Sequence, residues 1–280
     1  NGYRPKFFYG GSLGWHRLNR FLEESGFEDI YGENSVNDVP HTRFGISDEH
    51  LFDFVHDNLQ KAANDTFNFV MTLSNHPPYQ VPDSYKYKDI KVPNILKPYA
   101  KDKEYFYKRF NAYNYSDAAL GHFIKRAKTS EYFKDTLFII TADHPVDYFS
   151  NWDFISRYKL EKLPLLLYSP LLFEQSTDNI TNRGTHLDLL PTILSIINDQ
   201  PQEITNWGKT LLLNTSPDYL NSYYLNCINN FCITPSGKKL LDNKQNFTKC
   251  SRQKCLSQEQ ALTYQSKAFE MSGIHYLLNH

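Results

Sequence analysis

The segment Thr141-Ala142-Asp143-His144 sets a carboxylate beside an imidazole directly after the apolar run Thr136-Leu137-Phe138-Ile139-Ile140. One hard oxygen and one borderline nitrogen are donors of the kind that divalent Mn, Mg or Zn accepts. Side chains next to each other on a regular strand point to opposite faces. Both therefore reach one ion only where strand gives way to loop, and Pro145 suits such a break. By itself the dipeptide is more often a surface turn, with Asp143 capping and His144 in solvent. Its weight comes from two further histidines. Phe67-Asn68-Phe69-Val70-Met71-Thr72-Leu73 is a second buried-strand pattern and runs into Ser74-Asn75-His76-Pro77-Pro78-Tyr79. Leu163 to Pro170 is a third, and Thr185-His186-Leu187-Asp188 opens the helix that follows it. Strand ends are where open α/β sheets build their sites.

The elements that would position these residues read as follows. Lys6 to Tyr9 is a short strand, and Trp15 to Glu24 a helix with Trp15, Leu18, Phe21 and Leu22 on one stripe. Ser47 caps the next helix, where Asp48 and Glu49 complement the helix dipole and Leu51, Phe52, Val55 and Leu59 face the core. A long helix from Glu104 to Lys128 turns Phe106, Phe110, Tyr113, Leu120 and Ile124 inward, with Asp117 buried on or near that face. Residues 80 to 103 and 145 to 162 lack periodicity and read as long loops that could select substrate, with Tyr79 and Tyr85 placed to meet a lipid or sugar. After Thr205 the pattern changes to short pieces. Tyr223 to Leu225 with Phe231 to Thr234 reads as a hairpin, continued by a turn at Ser236-Gly237.

With 280 residues, 40% of them hydrophobic, the chain can bury a sizeable core. A formal net charge of -1 leaves no global field for nucleic acid or anionic lipid, so nucleic-acid binding is disfavoured and any phosphate recognition must be local. No stretch approaches the ~20 apolar residues of a membrane-spanning helix. The four cysteines fall as Cys227-x4-Cys232 and Cys250-x4-Cys255. Two disulfides, or one metal site built from four thiolates, would account for that clustering, with connectivity open. Disulfides would place this region outside the cytoplasm.

Five segments, in order, resemble the sulfatase branch of the alkaline phosphatase superfamily, and within it the lipoteichoic acid synthase and phosphoglycerol transferase group. They are Phe7-Phe8-Tyr9-Gly10-Gly11 with Gly26-Phe27-Glu28-Asp29; Gly45-Ile46-Ser47-Asp48 with Leu51-Phe52; Thr72-Leu73-Ser74-Asn75-His76-Pro77-Pro78-Tyr79; Tyr115 to Gly121 ahead of Asp143-His144; and Thr185-His186-Leu187-Asp188 with Pro191-Thr192. The third is the most specific, and together they span roughly residues 6 to 200. The resemblance implies an α/β fold, an alkaline-phosphatase-like sandwich of a central mainly parallel sheet with helices on both faces. Residues 1-205 would be the C-terminal portion of a catalytic domain, and 206-280 a small cysteine-containing appendage.

It also implies roles. Asp143 and His144 would be ligands of one divalent metal ion, His76 a catalytic group at the phosphate or leaving group, and His186 and Arg17 substrate-binding residues. Arg20 lies beside Arg17 on the first helix; the other histidines, His56 and His122 among them, have no motif around them and read as structural or exposed. The threonine nucleophile and a further acidic ligand of that family lie on strands preceding the first matching segment, so the chain is expected to be N-terminally truncated relative to it. The implied chemistry is metal-assisted displacement at phosphorus through a phospho-threonine intermediate. A phosphatidylglycerol-like lipid or an envelope glycan would be the substrate, at the extracytoplasmic face of a bacterial inner membrane. Membrane association would come through segments absent from this chain. The competing expectation is a non-catalytic phospho-glycan-binding domain that has lost the nucleophile segment.

Overall fold

A computed structural model describes residues 2–83, 85, 94, 103–144, 163–170, 184–198 and 208–212 with their side chains, apart from that of Lys103, and the backbone of five later strands. The chain forms two compact units: residues 1–138 with 167–174, and residues 139–166 with 175–280.

In the first unit, strands β1 (Arg4–Tyr9), β2 (Asp29–Tyr31) and β5 (Thr66–Met71) form a parallel sheet in the order β2-β1-β5. Phe7 sits opposite Ile30 on one side and Phe69 on the other. Phe7, Phe8 and Tyr9 are all buried, as expected of a central strand covered on both faces. Phe8 stacks on Tyr31 and meets Phe54 edge-on. It joins a core built from α2 (Asp48–Gln60) and α3 (Lys103–Ala127), where Phe52 and Phe123 stack at 5.1 Å. Phe7 and Tyr9 point to the opposite face, against Leu22 of α1 (Leu18–Glu24).

That second face is thinner than the sequence suggests. Trp15 to Arg17 form a separate 3-10 turn kinked away from α1, so the apolar stripe breaks and Phe21 remains 64% exposed. A seven-residue helix cannot cover the sheet, and Phe67 and Phe69 of β5 stay exposed in an alternating pattern rather than buried on both sides. On α3, Tyr113 and Asp117 face solvent and Ser116 takes the inward place expected of Asp117. Tyr79 and Tyr85, expected at the surface, both pack against α3. Tyr79 is buried with its ring edge-on to Tyr105, and Tyr85 packs on Tyr115.

The short antiparallel pair β3 (His41–Thr42) and β4 (Gly45–Ile46) closes on the end of β1 through the Ile46 N–H, which donates to the Gly10 carbonyl at 2.8 Å. Gly45 adopts φ 139°, and a Cβ there would lie 2.0 Å from the Gly10 oxygen, so only glycine permits this approach. The approach delivers Asp48, 1% exposed, to the exit of β5. Its Oδ1 accepts from the Leu73 and Ser74 N–H groups at 3.0 and 2.9 Å, and its Oδ2 from the Ser116 hydroxyl at 2.8 Å. Ser74 Oγ in turn accepts the Asp48 N–H, and Tyr115 Oη the Glu49 N–H. These bonds do the capping that the sequence assigns to Ser47, whose side chain makes no cap bond. Burial pushes the Tyr115 hydroxyl up to about 12, so it stays a neutral hydroxyl throughout the working range.

In the second unit, α4 (Leu189–Ile197) follows a 3-10 turn over His186–Asp188. Strands β6 (Phe138–Thr141) and β7 (Leu165–Tyr168), each crossed by a boundary between the units, pair with each other. Five C-terminal strands, β8 (Tyr219–Asn221), β9 (Asn226–Ile228), β10 (Phe231–Thr234), β11 (Gly237–Leu241) and β12 (Phe247–Lys249), form an antiparallel meander in the order β12-β11-β10-β9-β8. The expected hairpin is thus present with its first strand shifted onto Asn226–Ile228, while Tyr223 to Leu225 lie outside the described residues, as do Pro145, the loop at 145–162 and the expected boundary at 205.

Two expectations follow for stability. Truncating Asp48→Ala leaves two backbone N–H groups and a hydroxyl without their acceptor, and should cost about 3 kcal/mol or more in urea unfolding, against about 1 kcal/mol for Ser116→Ala. Equal, small losses would contradict the central role given to Asp48. His56 on α2 is 5% exposed with Nδ1 2.8 Å from the Tyr132 hydroxyl. Burial, then the Arg126 guanidinium, lowers its pKa, with Asp57 and Asp53 opposing. The unfolded chain therefore takes up this proton more readily than the folded one. The neutral His56 contribution is complete above the unfolded value of ~6.5 and is lost as pH falls below it. Between pH 8 and 5 the Tm of wild type should fall more steeply than that of His56→Gln; parallel curves would remove His56 as the cause.

Candidate functional site

In the first unit the sites lie at the C-terminal ends of neighbouring parallel strands. β1 leads through Gly10 and Gly11 to Arg17, and β5 leads to His76. The turn after β5 is held by the His76 N–H donating to the Leu73 carbonyl at 2.8 Å, directly beyond the two N–H groups fixed by Asp48. The His76 ring is exposed at the mouth of an open cleft lined by Phe44, Ile46, Ser47, Leu73 and Pro78. Its Nδ1 lies 2.8 Å from the Pro77 carbonyl oxygen. A carbonyl only accepts, so Nδ1 carries the proton and Nε2 is left to act. In the neutral ring Nε2 is a base or acceptor. It donates to an oxyanion only when the ring is protonated, which narrows the role that the sequence allows.

Arg17 sits at φ 59°, with His16 before it at 47°, in a region that residues bearing a Cβ rarely adopt. Its side chain is exposed, and among the described residues no ion pair or hydrogen bond occupies the guanidinium. Arg20 differs, because Glu24 holds it at 2.7 Å. Of the two arginines the sequence offers, Arg17 is the one with its fork available for an anion.

In the second unit, β6 ends at Thr141 and the chain turns at Asp143 and His144, both exposed. Asp143 Oδ1 accepts the His144 N–H at 2.9 Å, which folds the two side chains onto the same side of the turn. Asp143 Oδ2 and His144 Nε2 then stand 3.4 Å apart. Two donors at roughly 2.1 Å from one tetrahedrally coordinated ion are separated by about 3.4 Å, so the spacing suits neighbouring positions around a single divalent cation. The two atoms fit as half of a metal site. Among the described residues no group of three or more His, Cys, Asp or Glu side chains converges to complete it.

His186 is brought to the same strand end. Its Nε2 lies 2.8 Å from the Ala142 carbonyl, one residue before Asp143. Nε2 therefore carries the proton and donates to that carbonyl, leaving Nδ1 with a lone pair. Two residues of this segment that the sequence offers only as a helix start prove to be its anchors. Asp188, buried, accepts the Thr185 N–H at 2.6 Å and the Lys209 N–H at 2.8 Å, and Thr192 Oγ1 donates to the Asp188 carbonyl while accepting from the Leu211 N–H. The spacing Asp188-x-x-x-Thr192 at a helix start was the signal for them.

Residues 1–198 match the family model described as Sulfatase. Among curated proteins, the chain shares 21% identity with the lipoteichoic acid synthase-like protein YvgJ of Bacillus subtilis, over 70% of this chain and 31% of that protein. It shares 24% with phosphoglycerol transferase I of Xanthomonas campestris, over 77% of this chain and 30% of that protein. The chain thus spans less than a third of the length of these relatives. Among solved structures, a protein of the alkaline phosphatase superfamily from Vibrio parahaemolyticus superposes with a TM-score of 0.71 at 23% identity, over 97% of this chain and 66% of that one. The lipoteichoic acid synthase LtaP from Listeria monocytogenes superposes with 0.73 at 18% identity, over 96% and 70%. The expected alkaline-phosphatase-like α/β fold is borne out by these two likenesses, and the match over residues 1–198 decides the family: the chain belongs to the sulfatase family.

Proposed function

We propose that this chain carries part of the active site of a metal-dependent phosphoglycerol transferase, or of a hydrolase built on the same site, acting on a phosphatidylglycerol-like lipid or an envelope glycan outside the cytoplasm. The observation that carries the reading is the 3.4 Å spacing of Asp143 Oδ2 and His144 Nε2 at the end of β6 in a sulfatase-family chain. Similarity to phosphoglycerol transferases supports the choice of substrate class.

Asp143 and His144 would hold one divalent ion, Mn, Mg or Zn. Such an ion supplies Lewis acidity to phosphoryl oxygens and neutralises charge as it develops there. The remaining tasks fall to the protein. His76 takes or returns the proton at the attacking or leaving oxygen through Nε2, the nitrogen its Nδ1 contact leaves available. Arg17 binds two phosphate oxygens with its planar fork. His186, tethered to the Ala142 carbonyl, holds the backbone before Asp143 and offers Nδ1 to the substrate. The attacking nucleophile is assigned to no residue of this chain. Among the described residues no helix is long and apolar enough to cross a membrane.

The test is Mn-dependent hydrolysis of an aryl phosphodiester by the longest native form of the protein. Asp143→Ala and His144→Ala should abolish it and the rise in Tm that Mn produces, since only a ligand held by the folded state stabilises it. His76→Gln should lower kcat by about 100-fold to 10,000-fold while leaving the Mn-induced rise intact. A folded protein that binds phospho-glycan, ignores Mn and hydrolyses nothing would replace this reading with that of a binding domain.

A further inference from the structure

The C-terminal meander bears on the cysteines that the catalytic reading leaves aside. β9 and β10 pair antiparallel in the register Asn226↔Ile233, Cys227↔Cys232 and Ile228↔Phe231, with two residues between the strands. In a two-residue hairpin the pair flanking the loop is hydrogen-bonded, and pairs alternate from there. Cys227 and Cys232 are therefore a non-hydrogen-bonded pair, whose Cα atoms stand about 4.5 Å apart. That lies within the ~4.4–6.8 Å that a disulfide spans. The other ladder partner of Cys227 is Leu220, and that of Cys232 is Lys239. Lys249, which precedes Cys250, pairs with Lys239. It is two strands from Cys232 and three from Cys227, or about 10 and 14 Å at the usual strand spacing.

We propose that Cys227 and Cys232 are joined by a cross-strand disulfide, which leaves Cys250 to pair with Cys255 and selects one of the three connectivities four cysteines allow. Each thiol loses a proton, the two sulfurs bond, and the two electrons released reduce the disulfide of a dithiol-disulfide oxidant to its dithiol. Such an oxidant acts in the oxidising compartments outside the cytoplasm. The bond would fix the register of a hairpin in a sheet of short strands, where a one-residue slip would otherwise exchange its faces.

The experiment is peptide mapping of the exported protein, alkylated without reductant and digested with trypsin, with zinc measured on the same sample. Both Cys227 and Cys232 lie on the tryptic peptide 210–238, whereas Arg252 and Lys254 separate Cys250 from Cys255. The proposal expects peptide 210–238 unalkylated and lighter by two hydrogens than its reduced form, and peptide 250–252 linked to 255–267. In Cys227→Ser the single alkylated thiol should be Cys232. Linkage of peptide 210–238 to either later peptide, four alkylated thiols, or about one zinc per chain would each overturn it.

Discussion

The buried side chain of Asp48 is the point on which the first unit depends. Three separate elements, the start of α2, the exit of β5 and the middle of α3, present buried or partly buried polar groups there, and Asp48 accepts from two of them while its own N–H is taken by Ser74. Such groups are costly to bury unpaired, so the three elements are fixed together or not at all. Gly45 makes this possible by letting its backbone touch the Gly10 carbonyl, and His76 inherits the result as the next turn beyond the anchored Leu73 and Ser74. The placement of the His76 imidazole thus follows from a buried carboxyl group that holds the backbone just before it.

The second unit repeats the device with different residues. Asp188 ties the turn before α4 to the backbone of Lys209, and Thr192 ties it again through Leu211. His186 stands on this braced turn and reaches the Ala142 carbonyl, so the strand end that presents Asp143 and His144 is held from outside the strand. In both units a buried acid supports an exposed histidine, and the acid is itself satisfied by backbone N–H groups.

Much of this was legible in the sequence, and what was not has local reasons. Strand ends at His76 and at Asp143-His144 are marked by apolar runs that stop at turn-forming residues, and the order of five short segments indicated the family. On α3 the choice between Ser116 and Asp117 turns on a single residue, a rotation of about 100° that an aromatic-rich helix does not fix by pattern. Tyr79 and Tyr85 read as surface groups because their segment lacks periodicity, yet aromatic neighbours on α3 bury Tyr79 and half-bury Tyr85. Phe67 and Phe69 read as buried because composition does not reveal how much helix covers a sheet. The protonated nitrogens of His76 and His186 depend on carbonyls that only the folded backbone brings near.

The most direct test of the catalytic reading is the pulsed EPR spectrum of Mn(II) added to the longest native form of the protein. Coupling to one imidazole nitrogen is expected, lost in His144→Gln and kept in His76→Gln. A Mn(II) spectrum with no nitrogen coupling, or one unchanged by His144→Gln, would contradict the assignment of Asp143 and His144 as the metal ligands.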